Sequence, residues 1–288
     1  MAGRCAMKQT WLLLDVPNLA YRNFYVLGDL SNQGIKIGVI FGILRDIQNL
    51  LELFSTDKIV FCFDAGNEKR LTIYPDYKAK RKEKVNGMTK EELEAREQLH
   101  KQINKLRDKI LPFLGFRNIF WQDGYEADDV IASICSNTLN SDKAVIISTD
   151  SDLFQLLSGE RIVIWNPRKG KVVTEQSFVK ERGISCSQWA DVKAIAGCHS
   201  DDIPGIRGIG EKTAVRFLQG RIKPDSTAYN KIVLGNEIWR RNIRLTQLPF
   251  IGVDSFELVE DRVTKEKWQK AMEKLGIKSL EYRPKGIK

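Results

Sequence analysis

Over its first two thirds the chain alternates short apolar runs with amphipathic stretches. "WLLLD" (11–15) is an unbroken apolar run closed by an acid, the pattern of a strand buried on both faces. "KIVFCFD" (58–64) repeats it, and "KAVIISTDSD" (143–152) repeats it again, running into two acids. "FRNIFW" (116–121) predicts a short strand and "RIVIWNPRKGKVVT" (161–174) a hairpin. Apolar residues at helical spacing predict helices over 37–54, 89–116 and 125–139. Thr89 and Glu92, three apart, form a capping box for the second of these, and Pro112 and Gly115 mark its end. The stretch 67–88 has little apolar periodicity. From about residue 175 the pattern turns helical, over 175–182, 187–197, 209–219 and 226–247. A lysine-rich tail, 263–288, carries one amphipathic stretch from Trp268 to Leu275.

Strands alternating with helices predict an α/β fold with a mostly parallel, Rossmann-like central sheet flanked by helices. The change of pattern divides the chain into residues 1–184 and a smaller helical unit, 185–288. No repeat or low-complexity linker separates them, so the two units are expected to pack closely.

Composition narrows the class. A hydrophobic content of 42% fills a core, and no run approaches the roughly 18 apolar residues of a membrane span. The N-terminal apolar run is short and ends in an acid, so it reads as a first strand rather than a signal peptide. Cys5, Cys62, Cys135, Cys186 and Cys198 are odd in number and scattered, which argues against a disulfide framework and for a reducing, cytoplasmic setting. His100 and His199 are the only histidines, so a closed zinc site at Cys198 and His199 lacks partners. The net charge of +9 points to a polyanionic partner. Its location sharpens this. Lys69, Arg70, Lys78, Lys80, Arg81, Lys82 and Lys84 face only Asp76 and Glu83, and Arg207, Lys212, Arg216, Arg221 and Lys223 face only Glu211. A solvated basic surface is the plainer reading of both patches.

Acids change the picture most. Asp15, Asp64 and Asp150 end three strands, with Asp152 close behind. In a parallel sheet the carboxyl ends of the strands share one edge, where ligands bind. Glu126, Asp128 and Asp129 open the helix after the short strand, at the same edge, and Glu126 and Asp129 share a helix face. Each has a plainer account alone: first-turn acids cap free N–H groups, and a strand-end aspartate suits a turn. Together they would repel one another unless cations neutralised them. Hard oxygen ligands without clustered histidines select magnesium or manganese and suggest a two-metal site for phosphoryl chemistry.

These segments resemble, over roughly 11–245, the phage and bacterial 5′-nucleases, a family of flap endonucleases and 5′-3′ exonucleases. "LLLDVPNLAYRNFY", "FCFDAGNEKR", "YEADD", "ISTDSDLFQLL" and "SDDIPGIRGIGEKTA" are similar to its motifs, in its order. The resemblance implies a PIN-like nuclease domain followed by a helix–hairpin–helix DNA-binding domain. It implies metal-dependent cutting of DNA with a 5′ flap, fork or 5′ end, RNA-primed ends included, in replication or repair. Asp64, Glu126, Asp128 and Asp129, with Asp15 in support, would hold one Mg2+, and Asp150, Asp152 and Asp201 a second, with Mn2+ as a substitute. "YPDYKAKRKEK" (74–84) resembles the base of the family's helical arch, here 67–112, through which a 5′ single strand passes. In it Lys78 and Arg81 would be catalytic, Lys78 reaching the scissile phosphate, while Tyr77 stacks on a base and Arg70 contacts DNA. The turn at Gly208 and Gly210, with Lys212 and Arg216 on one helix face, would grip duplex backbone and hold K+ through its carbonyls. The implied protein is a monomer of a bacterial cytoplasm or a phage-infected cell. The length leaves no room for a polymerase, which predicts a stand-alone nuclease.

Three rivals stand beside this. A silent junction binder of the same fold conflicts with the retained acids. A PIN-type ribonuclease conflicts with the arch-like segment and "GIRGIGEKTA". A magnesium-dependent phosphatase needs a second aspartate that "LLLDVPN" lacks. One position departs from the family: Cys198 stands where many relatives carry aspartate, and Asp202 where they often have asparagine. Cys198 is then a buried residue without a metal role, or the second site is weak or manganese-favouring, or Asp202 partly replaces the missing charge.

Overall fold

The computed structural model describes residues 8–139 and 141–282; Cys5 and the end of the lysine-rich tail lie outside the described residues. The central sheet has six strands: β1 (Thr10–Asp15), β2 (Lys58–Cys62), β3 (Ile119–Phe120), β4 (Lys143–Ile147), β5 (Ile162–Asn166) and β6 (Lys171–Val173). Their order is β3-β2-β1-β4-β5-β6, parallel except for β6, which runs antiparallel to β5 as the predicted hairpin. β1 is central, with Leu13 level with Val60 on one side and Ile146 on the other. Its side chains alternate between two cores. Trp11 and Leu13 pack with Val130, Ile131 and Trp189; Leu12 and Leu14 pack with Ile40, Ile43 and Leu99. Burial on both faces is why this strand is apolar without alternation. The chain leaves β1 in one direction for β2 and returns on its other side as β4. That reversal opens a crevice at the carboxyl ends of β1 and β4.

The capping box is present. Glu92 N donates to Thr89 Oγ1 at 3.3 Å and Thr89 N to the Glu92 carboxylate at 2.8 Å. The helix runs over Lys90–Lys105, widens into a π-turn at Leu106–Ile110, resumes at Leu111–Leu114 and stops at Gly115, whose φ is 102°. A further helix, Val16–Leu27, follows β1 directly and is absent from the periodicity reading.

The predicted single helix over 226–247 is two, Thr227–Leu234 and Asn236–Thr246. They break at Gly235, where a Cβ would lie 2.8 Å from the side chain of Ile206 in the glycine-rich turn. The tail also departs from its assignment to the helical unit. Its helix, Lys265–Leu275, buries Trp268, Ala271, Met272 and Leu275 in the same core as Leu106, Leu111 and Leu114 of the first unit. The chain before it runs past β3, where Asn118 Nδ2 donates to Val259 O at 2.8 Å and receives Val259 N on its Oδ1 at 2.9 Å. The change near residue 184 is one of architecture and not of core: Phe178, Trp189, Ile195, Ile206 and Ile232 belong to one cluster with Leu13 and Ile146. No helix among the described residues is long and apolar enough to cross a membrane. The four described cysteines are free and buried.

Candidate metal centre

A cleft of about 400 Å³ opens at the β1–β4 crevice, lined by Asp15, Asp64, Glu126, Asp128, Asp150, Asp152 and Asp201 together with Lys78 and Arg81. β1 delivers Asp15 at its end, the segments just beyond β2 and β4 deliver Asp64 and Asp150, the 3-10 turn Asp152–Leu156 delivers Asp152, and the turn into helix Ala127–Ser133 delivers Glu126 and Asp128. Neighbouring groups brace them. Asp15 accepts from Ser148 Oγ at 2.7 Å and from Asn18 N at 3.2 Å, which caps helix Val16–Leu27. Asn18 Oδ1 accepts from the backbone and hydroxyl of Thr149, tying β1 to β4 across the crevice. Asp64 accepts from Ala127 N at 2.8 Å. Nothing in the sequence marks Asn18, Ser148 and Thr149, since short polar side chains beside acids carry no signal of their own.

The charges are not balanced from within. Burial, then the Asp64 and Asp150 charges, push the Asp15 carboxyl up to about 7, against two opposing hydrogen bonds. Enclosure and Asp152 push Asp150 up to about 6, and burial raises Asp64. Asp128 is pushed well up by burial and by Asp129, and its Oδ1 is buried with no hydrogen-bond partner. An orphaned carboxylate oxygen among convergent hard donors fits a divalent cation.

This has a consequence for stability. A carboxyl held above its unfolded value takes up a proton on folding, so its contribution is lost as pH rises through the window from about 4 to about 7. A bound cation reverses that loss. Magnesium is therefore expected to raise the thermal midpoint more at about pH 8 than at about pH 5. Equal shifts in calorimetry at the two pH values would contradict this.

Lys78 sits inside the cleft. Its ammonium pairs with Glu126 Oε1 and lies 3.4 Å from Asp201 Oδ1. Burial acts to lower it, but Glu126 and Asp201 win and push it up to about 12, so it is a fixed cation. Its backbone is left-handed, with φ 56°, and its N–H donates to Asp201 O at 2.9 Å. Arg81 Nη2 reaches Asp201 Oδ1 at 3.0 Å. Both belong to the entry of helix Ala79–Asn86, which buries no side chain. Asp202 caps that helix from across the chain, accepting Lys80 N at 2.9 Å and pairing with Lys80 Nζ at 3.1 Å. It does not line the cleft, so it does not replace the charge missing at Cys198.

Three expected residues are placed elsewhere. Asp129 has no exposed surface and does not line the cleft. Its oxygens take Arg70 Nη1 at 2.5 Å and Nη2 at 2.8 Å, with Phe250 N at 3.1 Å. Arg70, expected on DNA, is 2% exposed; its Nε donates to Leu245 O and its guanidinium stacks 4.8 Å from the Phe250 ring centroid. Tyr77, expected under a base, is 3% exposed and donates its hydroxyl to Glu126 Oε2 at 2.6 Å. Burial would raise Glu126, but Lys78 and Arg70 hold it below the usual range.

At the far side, Asp152, Cys198 and Asp201 bring three ligand atoms within 4.8 Å of one another. Burial, then Asp152 and Asp201, push the Cys198 thiol up to about 12. Beyond them the glycine-rich turn leads to helix Glu211–Leu218, capped by Gly210 with no side chain on its free N–H groups. Gly208 has φ 79°, which a side chain rarely adopts. Gly208, Gly210, Lys212 and Arg216 are exposed.

Convergent carboxylates and a half-buried lysine at the carboxyl edge of a parallel sheet fit an enzyme of metal-assisted phosphoryl chemistry. The chain belongs to the 5′-3′ exonuclease family, whose N-terminal resolvase-like domain matches residues 10–183. It is 34% identical over 214 residues to the 5′-3′ exonuclease of Aquifex aeolicus, a match covering 73% of this chain and 69% of that protein. It is 35% identical over 211 residues to the thermostable DNA polymerase I of Thermus thermophilus, covering 72% of this chain and 24% of the polymerase. The chain thus spans about a quarter of the length of the polymerases it matches. In fold it is similar to the T5 5′-exonuclease with bound zinc, with a TM-score of 0.74 at 23% identity, covering 84% of this chain and 90% of that one. Flap endonuclease-1 from Methanococcus jannaschii gives a TM-score of 0.56 at 14% identity, covering 93% and 86%. The fold is the PIN-like resolvase fold.

Proposed function

We propose that the chain is a structure-specific 5′-nuclease that cuts DNA near the base of a 5′ flap, fork or 5′ end, working in bacterial or phage-infected cytoplasm. The observation that carries this reading is the cleft itself: seven carboxylates face one half-buried lysine and one arginine at the sheet edge. Asp15, Asp64, Glu126 and Asp128 would hold one magnesium ion, and Asp150, Asp152 and Asp201 would supply carboxylates for a second divalent cation. Metals bound there would supply an activated water and neutralise charge on the phosphate. The chain's own residues do the rest. Lys78 presents a permanent cation to the phosphate oxygens, aimed by Glu126 and Asp201, and Tyr77 fixes Glu126 in turn. Arg81 adds a second positive group at the arch side.

A neighbouring cleft of about 560 Å³ lies between helix Val16–Leu27 and the arch helices, sharing Tyr21, Asp64 and Arg81 with the metal cleft. It offers a route for a single strand. The bare N–H groups at Gly210, with Lys212 and Arg216 on one face, suit a duplex phosphate. Backbone carbonyls of that turn would accept K+ there.

Lys78→Ala tests the role given to the lysine. With a 5′-labelled flap duplex and magnesium, its single-turnover rate is expected to fall on the order of a hundred-fold. Affinity for the same duplex, measured by anisotropy, should change far less. A fall in affinity with an unchanged rate would sink this assignment.

A further inference from the structure

The carboxylates around Cys198 are divided in an informative way. Asp152 gives its Oδ1 to Lys193 Nζ at 3.1 Å and turns Oδ2 to the Cys198 sulfur at 3.8 Å. Asp201 gives its Oδ1 to Arg81 at 3.0 Å and Lys78 at 3.4 Å, and turns Oδ2 to the same sulfur at 3.4 Å. Each acid is thus oriented by a cation on one oxygen and presents the other inward. The thiol between them is 4% exposed and has no disulfide partner among the described residues. Ser200 Oγ lies 3.0 Å from the sulfur. Outer groups that fix the ligand atoms are what an ordered metal site requires.

We infer that Asp152, Cys198 and Asp201 form a mixed thiolate–carboxylate subsite that takes a thiophilic divalent cation of the zinc, cobalt and cadmium class in preference to magnesium. The inference rests on the reading of the cleft as a metal centre and specifies the ion of its second position. Magnesium demands near-octahedral oxygen ligation, which a sulfur disrupts. Zinc-class ions accept two oxygens and one sulfur in a tetrahedral arrangement and leave a fourth position open, the pattern of catalytic sites. On binding, the S–H bond breaks, the sulfur lone pair goes to the metal and the proton leaves to solvent. Lys193 stays on the outer oxygen of Asp152, where it keeps the carboxylate oriented and makes binding weaker than in an all-anionic cage.

The test is a cadmium titration of the full chain, followed by the ultraviolet thiolate-to-cadmium charge-transfer band in excess magnesium. One saturating band is expected. It should persist in Cys5→Ser and vanish in Cys198→Ser and Cys198→Asp, with folding of each variant checked by circular dichroism. Absence of the band in the parent chain, or its survival in Cys198→Ser, would overturn the inference. Flap cleavage in magnesium is read separately. A band without cleavage would leave the subsite standing and remove the nuclease reading; cleavage without a band would do the reverse.

Discussion

Asp150→Ala is expected to slow flap cleavage on the order of a thousand-fold or more while leaving DNA binding largely intact, and Asp128→Ala is expected to do the same. The two acids reach the cleft from different segments, the loop after β4 and the start of helix Ala127–Ser133, so a shared loss of rate would report the cleft and not one segment. Neither removal should unfold the chain. Asp150 is pushed up by enclosure and by Asp152, and Asp128 by burial and Asp129, so deleting either relieves repulsion. A stable variant that binds a labelled flap duplex in gel shift but fails to cut it is the expected result. A variant that cuts within a few-fold of the parent rate would remove that acid from the metal site.

Arg70→Ala should act in the opposite manner, on stability. It leaves Asp129 with no exposed surface and without its bidentate partner. Breaking a buried pair from one side costs about 3–5 kcal/mol. For a chain of this size that lowers the thermal midpoint by roughly 10 °C. The loss has a route to function as well. Arg70 links the arch base to Leu245 and Phe250, and its Nη1 lies 3.3 Å from Glu126 Oε2. By contrast, Lys101→Ala breaks only an exposed pair with Glu97 and should change stability by less than about 1 kcal/mol. If Arg70→Ala melted like the parent chain and lost only DNA affinity, Arg70 would be the DNA contact that the sequence suggests.

What the sequence made legible follows from how local each signal is. The strands β1, β2 and β4 are buried on both faces, and their apolar runs say so without knowledge of the fold. The capping box at Thr89 lies within one turn and needs no partner elsewhere. The convergence of Asp15, Asp64 and Asp150 followed from a rule about parallel sheets, so distant residues could be grouped.

The failures are pairings across long stretches of chain. Arg70 lies in a basic segment, which reads as a polyanion contact until Asp129 is seen on top of it. Tyr77 looks like a stacking residue for the same reason, whereas its ring packs with Ile203 and Leu245 and its hydroxyl holds Glu126. Helix Ala79–Asn86 has no apolar face to report it, and its cap, Asp202, lies beyond the whole sheet in sequence. The stripe of Trp268, Ala271, Met272 and Leu275 announces a buried helix face but not which surface it meets, and chain order assigned it to the wrong unit. Cys198 was visible as a departure from an acidic pattern. Only its distances to Asp152 and Asp201 turn that departure into a statement about ion preference.

On this reading the acidic cleft cuts DNA at a 5′ junction when divalent metal is supplied. The most direct measurement is single-turnover cleavage of a 5′-labelled flap duplex by the parent chain, in magnesium and in excess chelator, with binding followed in both. One product cut near the junction is expected in magnesium, no product in chelator, and binding in each. Binding without cutting in either magnesium or manganese would contradict it and identify a silent junction binder.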